Sequence, residues 1–211
     1  YFPEDSVFAA VIDPGVGSSR KILCMEAANR VFLAPDNGLL SLVEEEEGAD
    51  AVREVTNEEL FLDEPSGTFH GRDIFAPVAA HICSGTSPSD VGPEVDSFRK
   101  LNLPKPVHTA DNTLRGEIIY IDHFGNLITN ISRNMVETSF ECPLEAVRVT
   151  VKQHTIEGIS ETYSSGSEGD LVALVGSTGY LEVAVRNGSA LELLQSERGD
   201  HVVLEPPPNG K

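Results

Sequence analysis

The chain has 211 residues, 40% hydrophobic and 23% charged, with a formal net charge of -19. That length can bury a real core as one large domain or two small ones. The charge repels phosphate backbones and excludes nucleic acid as a partner, and no apolar run approaches the ~20 residues of a membrane helix.

No charged-then-apolar leader opens the chain, so it reads as a soluble, cytoplasmic protein without a membrane partner. Cys24, Cys83 and Cys142 are odd in number, far apart and in no CxxC pair, which fits a reducing compartment better than a disulfide framework or a zinc ribbon. The six histidines show neither HExxH nor short HxH spacing, and no metal is expected. The acidic, lysine-poor composition also suits a salt-adapted cytoplasm.

In chain order, SVFAAVID (6–13) reads as a buried strand leaving through an Asp-Pro-Gly turn. KILCMEAA and RVFLAPDNG read as two short strands around Asn29, and NGLLSLVEEE as a helix whose acid run Glu44–Glu47 is solvated. Asp73 is the expected N-cap of the helix IFAPVAAHICSG, with Pro77 in its first turn and Ser84-Gly85 ending it. Residues 104–115 read as a linker. Beyond them the pattern changes to short alternating stretches: GEIIYID, LITNIS, AVRVTVKQ, DLVALVGS, YLEVAVRN and HVVLEP. The expected architecture is mixed α+β or α/β: an N-terminal α/β domain (1–103), the linker, a C-terminal antiparallel β-barrel-like domain (116–205) and a tail (206–211).

Asp13, Arg20 and His70 sit in Gly/Pro-punctuated segments, VIDPGVGSSR and SGTFHGRDIFAPVAAHI. A carboxylate, a guanidinium and an imidazole on tight turns could hold and polarise one water molecule without a metal. Taken singly, Asp13 also fits an Asx-type turn before Pro14, Arg20 a surface ion pair and His70 a hydrogen-bonded turn histidine. Asp36 and Asn37 in APDNG read as turn chemistry close to these residues, and Arg72 and Asp73 as residues that fix the His70 turn.

Five blocks, VIDPGVGSSR, FLAPDNGLLSLV, TFHGRDIFAPVAAHI, IDHFGNLITNI and VGSTGYLEVAVRNGSA, resemble in order those of the S-adenosyl-L-methionine (SAM) hydroxide adenosyltransferase family, the SAM hydrolases related to the fluorinase and chlorinase. The resemblance implies attack of water on C5′ of the SAM ribose, giving adenosine and L-methionine, with SAM as substrate and no cofactor. It also implies a homotrimer with active sites between subunits. It makes Asp13, Arg20 and His70 the catalytic set. Asp122 is assigned to the methionine ammonium, Asn126 to the adenine edge and Phe124 to the wall of the nucleoside pocket. Ser177 is assigned to the methionine carboxylate, although Thr178 replaces an arginine of the fluorinase. Arg186, Asn187 and Gly188 close over adenine, and Tyr163 stacks on the base; each of these positions also reads as turn chemistry. Gly71 stands where the fluorinase has a serine that helps to hold fluoride, which favours water. Family members carry an earlier segment with a TDFG-type motif; this chain opens at a sequence resembling the interior of a family N-terminal domain, so that segment is expected to be absent here. Alternative readings are a chloride-using halogenase and a non-catalytic SAM- or adenosine-binding module.

Overall fold

In the computed structural model, which describes residues 2–109 and 111–207, the chain divides after Asn102 into two units. The apolar runs of the first become β1 (Val7–Ala9), β2 (Ile22–Ala27), β3 (Arg30–Pro35), helix α1 (Ser41–Glu47), β4 (Ala51–Glu54) and helix α2 (Ala76–Cys83). The sheet order is β1-β3-β2-β4; β1 runs parallel to β3 and the other pairs are antiparallel. Central β2 explains why its run is apolar on both faces. Ile22 and Cys24 pack with Phe75 and Val78 on one side, while Leu23, Met25 and Ala27 pack with Leu40 and Val43 on the other. Each such large side chain contributes about 1.5–3 kcal/mol on burial. Burial also pushes the Cys24 thiol up to about 12, with Glu26 adding to the shift.

Two expectations change here. The strand read over 6–13 is only three residues long, at the sheet edge, and Val11 and Ile12 beyond it are exposed. An apolar run of this length does not distinguish burial from an exposed apolar segment. Asp73 is not an N-cap. A π-type turn, Gly71–Phe75, runs directly into α2, and the buried Asp73 carboxylate accepts a hydrogen bond from Ser66 N at 2.8 Å. Pro77 does lie in the first turn of α2, and Ser84 caps its end.

The second unit comprises β5 (Val107–His108), β6 (Leu114–Ile121), β7 (Leu127–Ser132), α3 (Arg133–Ser139), β8 (Arg148–Val151), β9 (His154–Glu157), β10 (Ile159–Ser160), β11 (Leu171–Val175), β12 (Tyr180–Val185), α4 (Ala190–Leu194) and β13 (His201–Glu205). The sheet runs β10-β11-β12-β7-β6-β13-β8-β9, with β5 added on β6. Its end strands β9 and β10 are consecutive in the chain, joined through Gly158, so the sheet curls towards a closed barrel. Alternation decides the filling: Leu127, Ile131, Val149, Val151, Leu181 and Val183 point inward to one core. β5 and the start of β6 fall in the proline-containing stretch 104–115, where Val107 pairs with Arg115. Among the described residues, no helix is long and apolar enough to cross a membrane.

Candidate active site

The loop leaving β1 turns at Asp13, where Val16 N donates to Asp13 O, and reaches Arg20 just before β2. His70 immediately precedes the π-type turn. Gly17 lets these loops meet: its φ is +78°, and a Cβ there would lie 2.7 Å from Gly67 O. Asn37 Nδ2 donates to Ile12 O at 2.8 Å, which ties the APDNG turn to the same loop.

Arg20 is the hub. Its Nε donates to the two Asp13 carboxylate oxygens at 3.0 and 2.9 Å, and its Nη2 reaches both Asp13 Oδ2 and, at 2.7 Å, His70 Nδ1. The Arg20 and Asp13 side chains are only 10% and 5% exposed, and the Phe75 ring lies 6.0 Å from the guanidinium carbon. A guanidinium only donates, so His70 Nδ1 accepts and the ring proton resides on Nε2. In this arrangement His70 offers a donor at Nε2, while Asp13 offers an acceptor. A cleft of about 630 Å³ lies beside the pair, lined by Asp13, Arg20, Asp36, Asn37 and Arg99. Asp36 closes its own side by accepting from Arg99 N at 2.6 Å.

In the second unit, Phe124, Asn126, Tyr163, Arg186, Asn187 and Gly188 line one cleft of about 630 Å³. Asp122 is spent largely on the hairpin turn between β6 and β7. It accepts from Phe124 N, Asn126 N and Asn126 Nδ2, all at 2.9 Å. Phe124 is 66% exposed, an open apolar wall beside His123. The Arg186 guanidinium donates to Gly166 O and so ties down the loop that carries Tyr163. Ser177 does not join this cleft; it is exposed at the tip of the β11–β12 hairpin. One residue escaped the sequence reading: buried Glu182 on β12, whose Oε2 accepts from the Tyr163 hydroxyl at 2.5 Å. A glutamate in an alternating strand reads as solvent-facing, so no sequence signal marked it. Among the described residues, no cluster of three or more His, Cys, Asp or Glu could hold a metal ion.

Residues 1–92 match the model of the SAM hydroxide adenosyltransferase N-terminal domain, and residues 116–203 that of the corresponding C-terminal domain. The chain belongs to the SAM hydroxide adenosyltransferase family. An (R)-S-adenosyl-L-methionine hydrolase of Salinispora tropica is 36% identical over 204 residues, 96% of this chain and 75% of that protein. A fluorinase of an Actinoplanes species is 30% identical over 220 residues, 90% of this chain and 74% of that protein. The crystal structure of an uncharacterized conserved protein from Thermotoga maritima shares the fold at a TM-score of 0.82 and 39% identity, covering 96% of this chain and 78% of that one. Within the family's N-terminal domain lie Asp13, Arg20 and His70; within its C-terminal domain lies the Tyr163 cleft.

Proposed function

We propose that this protein hydrolyses SAM to adenosine and L-methionine. A water oxygen attacks C5′ of the ribose, the C5′–S bond breaks, and its electron pair leaves with the sulfur, which becomes the neutral thioether of methionine. The water proton is released. A sulfonium is a good leaving group, so the protein has to position and deprotonate water rather than protonate sulfur. Asp13 accepts the water proton or holds its O–H, His70 Nε2 donates to the attacking oxygen and orients it, and Arg20 keeps both in register. The single observation that carries this reading is the Asp13–Arg20–His70 hydrogen-bonded chain, in which one guanidinium fixes both partners. SAM is the substrate, and the balance as written needs no cofactor.

The cleft lined by Phe124, Asn126, Tyr163, Arg186 and Gly188 would take the nucleoside, with the Tyr163 ring on adenine and Asn126 at its edge. Asp122 acts there chiefly by holding the turn that presents Asn126, and Ser177 takes the methionine carboxylate. We place the protein in the cytoplasm, which its three free cysteines suit, and expect a homotrimer in which subunits share each site. A monomer with full activity in solution would overturn the shared site.

The test is incubation of SAM with the protein, with and without chloride, followed by chromatography of the nucleosides. Adenosine and methionine unaffected by chloride, and abolished in Asp13→Ala and His70→Ala while SAM still binds, are expected. Chloride-dependent 5′-chloro-5′-deoxyadenosine would refute the hydrolase in favour of a halogenase. At Gly71 a Cβ would lie 3.2 Å from Val11 Cγ1, so a serine in its place would need Val11 to shift.

A further inference from the structure

Among the described residues of the second unit, Glu182 is the buried carboxylate, 8% exposed in the middle of β12, where Leu174 of β11 and Ile128 of β7 flank it. A carboxylate in such a place costs several kcal/mol unless its oxygens find donors. Its side chain lies flat over Gly176, so closely that a Cβ on that glycine would overlap Oε1. Its Oε2 takes the Tyr163 hydroxyl.

Tyr163 itself belongs to no strand or helix. It sits in the irregular stretch between β10 and β11, where local bonds such as Thr162 Oγ1 to Ser164 Oγ at 2.8 Å and Ser167 N to Asp170 Oδ2 at 2.7 Å shape the backbone but leave the ring free. Its phenol is pushed up to about 12, first by the hydrogen bond to Glu182, then by burial, with Asp122 adding negative charge nearby. Tyr163 is nonetheless 46% exposed and lines the cleft. One end is therefore clamped in the sheet and the face is open to a ligand.

We propose that Glu182 is a positioning residue for substrate binding: through the Tyr163 hydroxyl it fixes the aromatic wall on which the nucleoside stacks. The assignment rests on the SAM-hydrolase reading. Glu182 does not touch the reacting atoms, so its removal should weaken binding and spare the chemical step. Stacking on an aromatic ring is worth enough that a ring left to swing should raise KM for SAM about tenfold.

The test compares Glu182→Leu, Glu182→Gln and Tyr163→Phe. Glu182→Leu should raise KM for SAM and the adenosine Kd about tenfold, with kcat changed by less than about threefold. Glu182→Gln, whose amide oxygen still accepts from the phenol, should recover most of that loss. If Glu182→Leu does not fold, Tyr163→Phe removes the same hydrogen bond and should raise KM alone. A ligand-free readout is NMR of carbon-labelled tyrosine. One ring signal, absent in Tyr163→Phe, should stay protonated at a pH where exposed tyrosines have ionised, and Glu182→Leu should abolish that resistance. Adenosine binding by the wild type with KM unchanged in both Glu182→Leu and Tyr163→Phe overturns the assignment alone. No binding of adenosine or SAM by the wild type overturns the hydrolase reading and the assignment with it, while the tyrosine signal still decides whether the pair exists.

Discussion

Replacing Arg20 with lysine keeps the positive charge and removes the fork. In the native site one guanidinium spends Nε on both Asp13 oxygens and Nη2 on Asp13 and His70 together. An ammonium is a single point and cannot span both partners from one stem. Charge-assisted hydrogen bonds are worth roughly 1.5–3 kcal/mol each, and at 10% and 5% exposure solvent screens this pair little. Lysine keeps one contact to Asp13 and loses its second arm and the donor to His70. The net loss is then about 3 kcal/mol, or about a hundredfold in kcat, if the geometry of both groups matters in the transition state. Folding should survive, because Asp13 retains a cation; Arg20→Ala, which strands it, should cost about 3–5 kcal/mol of stability. The assay is adenosine release at saturating SAM, with a thermal melt on the same samples. Arg20→Lys with an intact melt and more than about a third of wild-type kcat would refute the argument that one guanidinium must hold both groups.

Gly17→Ala should cost about 2 kcal/mol of stability and lower kcat, since its φ of +78° and the Gly67 carbonyl leave no room for a methyl; urea unfolding and turnover measure the two effects. The Arg72 guanidinium, then the Ser66 N–H, hold Asp73 below the ordinary carboxylate range. Its contribution is thus fully present above about pH 4 and lost as pH falls towards the folded value. Asp73→Asn should flatten the acid side of a stability-against-pH curve, and an unchanged slope would discard that contribution. Ser177→Ala should leave the melt unchanged, because the side chain is exposed. It should raise KM for SAM roughly tenfold through a lost bond to the methionine carboxylate, with adenosine affinity unaltered.

Buried strands were the most legible part of the chain. β2 and β3 are apolar because helical segments pack on both their faces, and β11 and β12 because they face the core of the barrel; composition records that directly. Val11 and Ile12 carry the same apolar signal yet are exposed, since the chain has left the edge of the sheet before it reaches Asp13. Asp73 shows another limit. An acid ahead of an apolar helix looks like a cap, but the helical turn begins at Gly71, and the side chain turns inward to Ser66. Glu182 fails for the opposite reason, because period-2 alternation places it on the outer face while the 161–170 loop folds back over it through Tyr163. Within the candidate site, the turns at Asp13, Asp36 and Asp122 were visible as turns. The meeting of Arg20 with His70, fifty positions apart, has no expression in local spacing; the shared Gly/Pro punctuation of their segments suggested it, and resemblance to a family made them, with Asp13, a catalytic set.

The direction of the hydrogen bonds around Arg20 bears on the choice of nucleophile. Arg20 has no acceptor, so the groups facing it are fixed as acceptors, Asp13 through its carboxylate and His70 through Nδ1. What remains for a reacting molecule is one acceptor, on Asp13, and one donor, His70 Nε2–H. Water satisfies both at once: an O–H points to the carboxylate while a lone pair is held by the imidazole, and the pairing tightens as the oxygen loses its proton. A halide has no proton to give and would bring a second negative charge against Asp13, a repulsion of about 4 kcal/mol at contact distances near a protein surface. Arg20 offsets part of that, although its Nε and Nη2 are already committed to Asp13 and His70. In the proposed mechanism the same three residues that would activate water would therefore disfavour chloride, which is why the hydrolase reading takes precedence over the halogenase in a family that contains both chemistries.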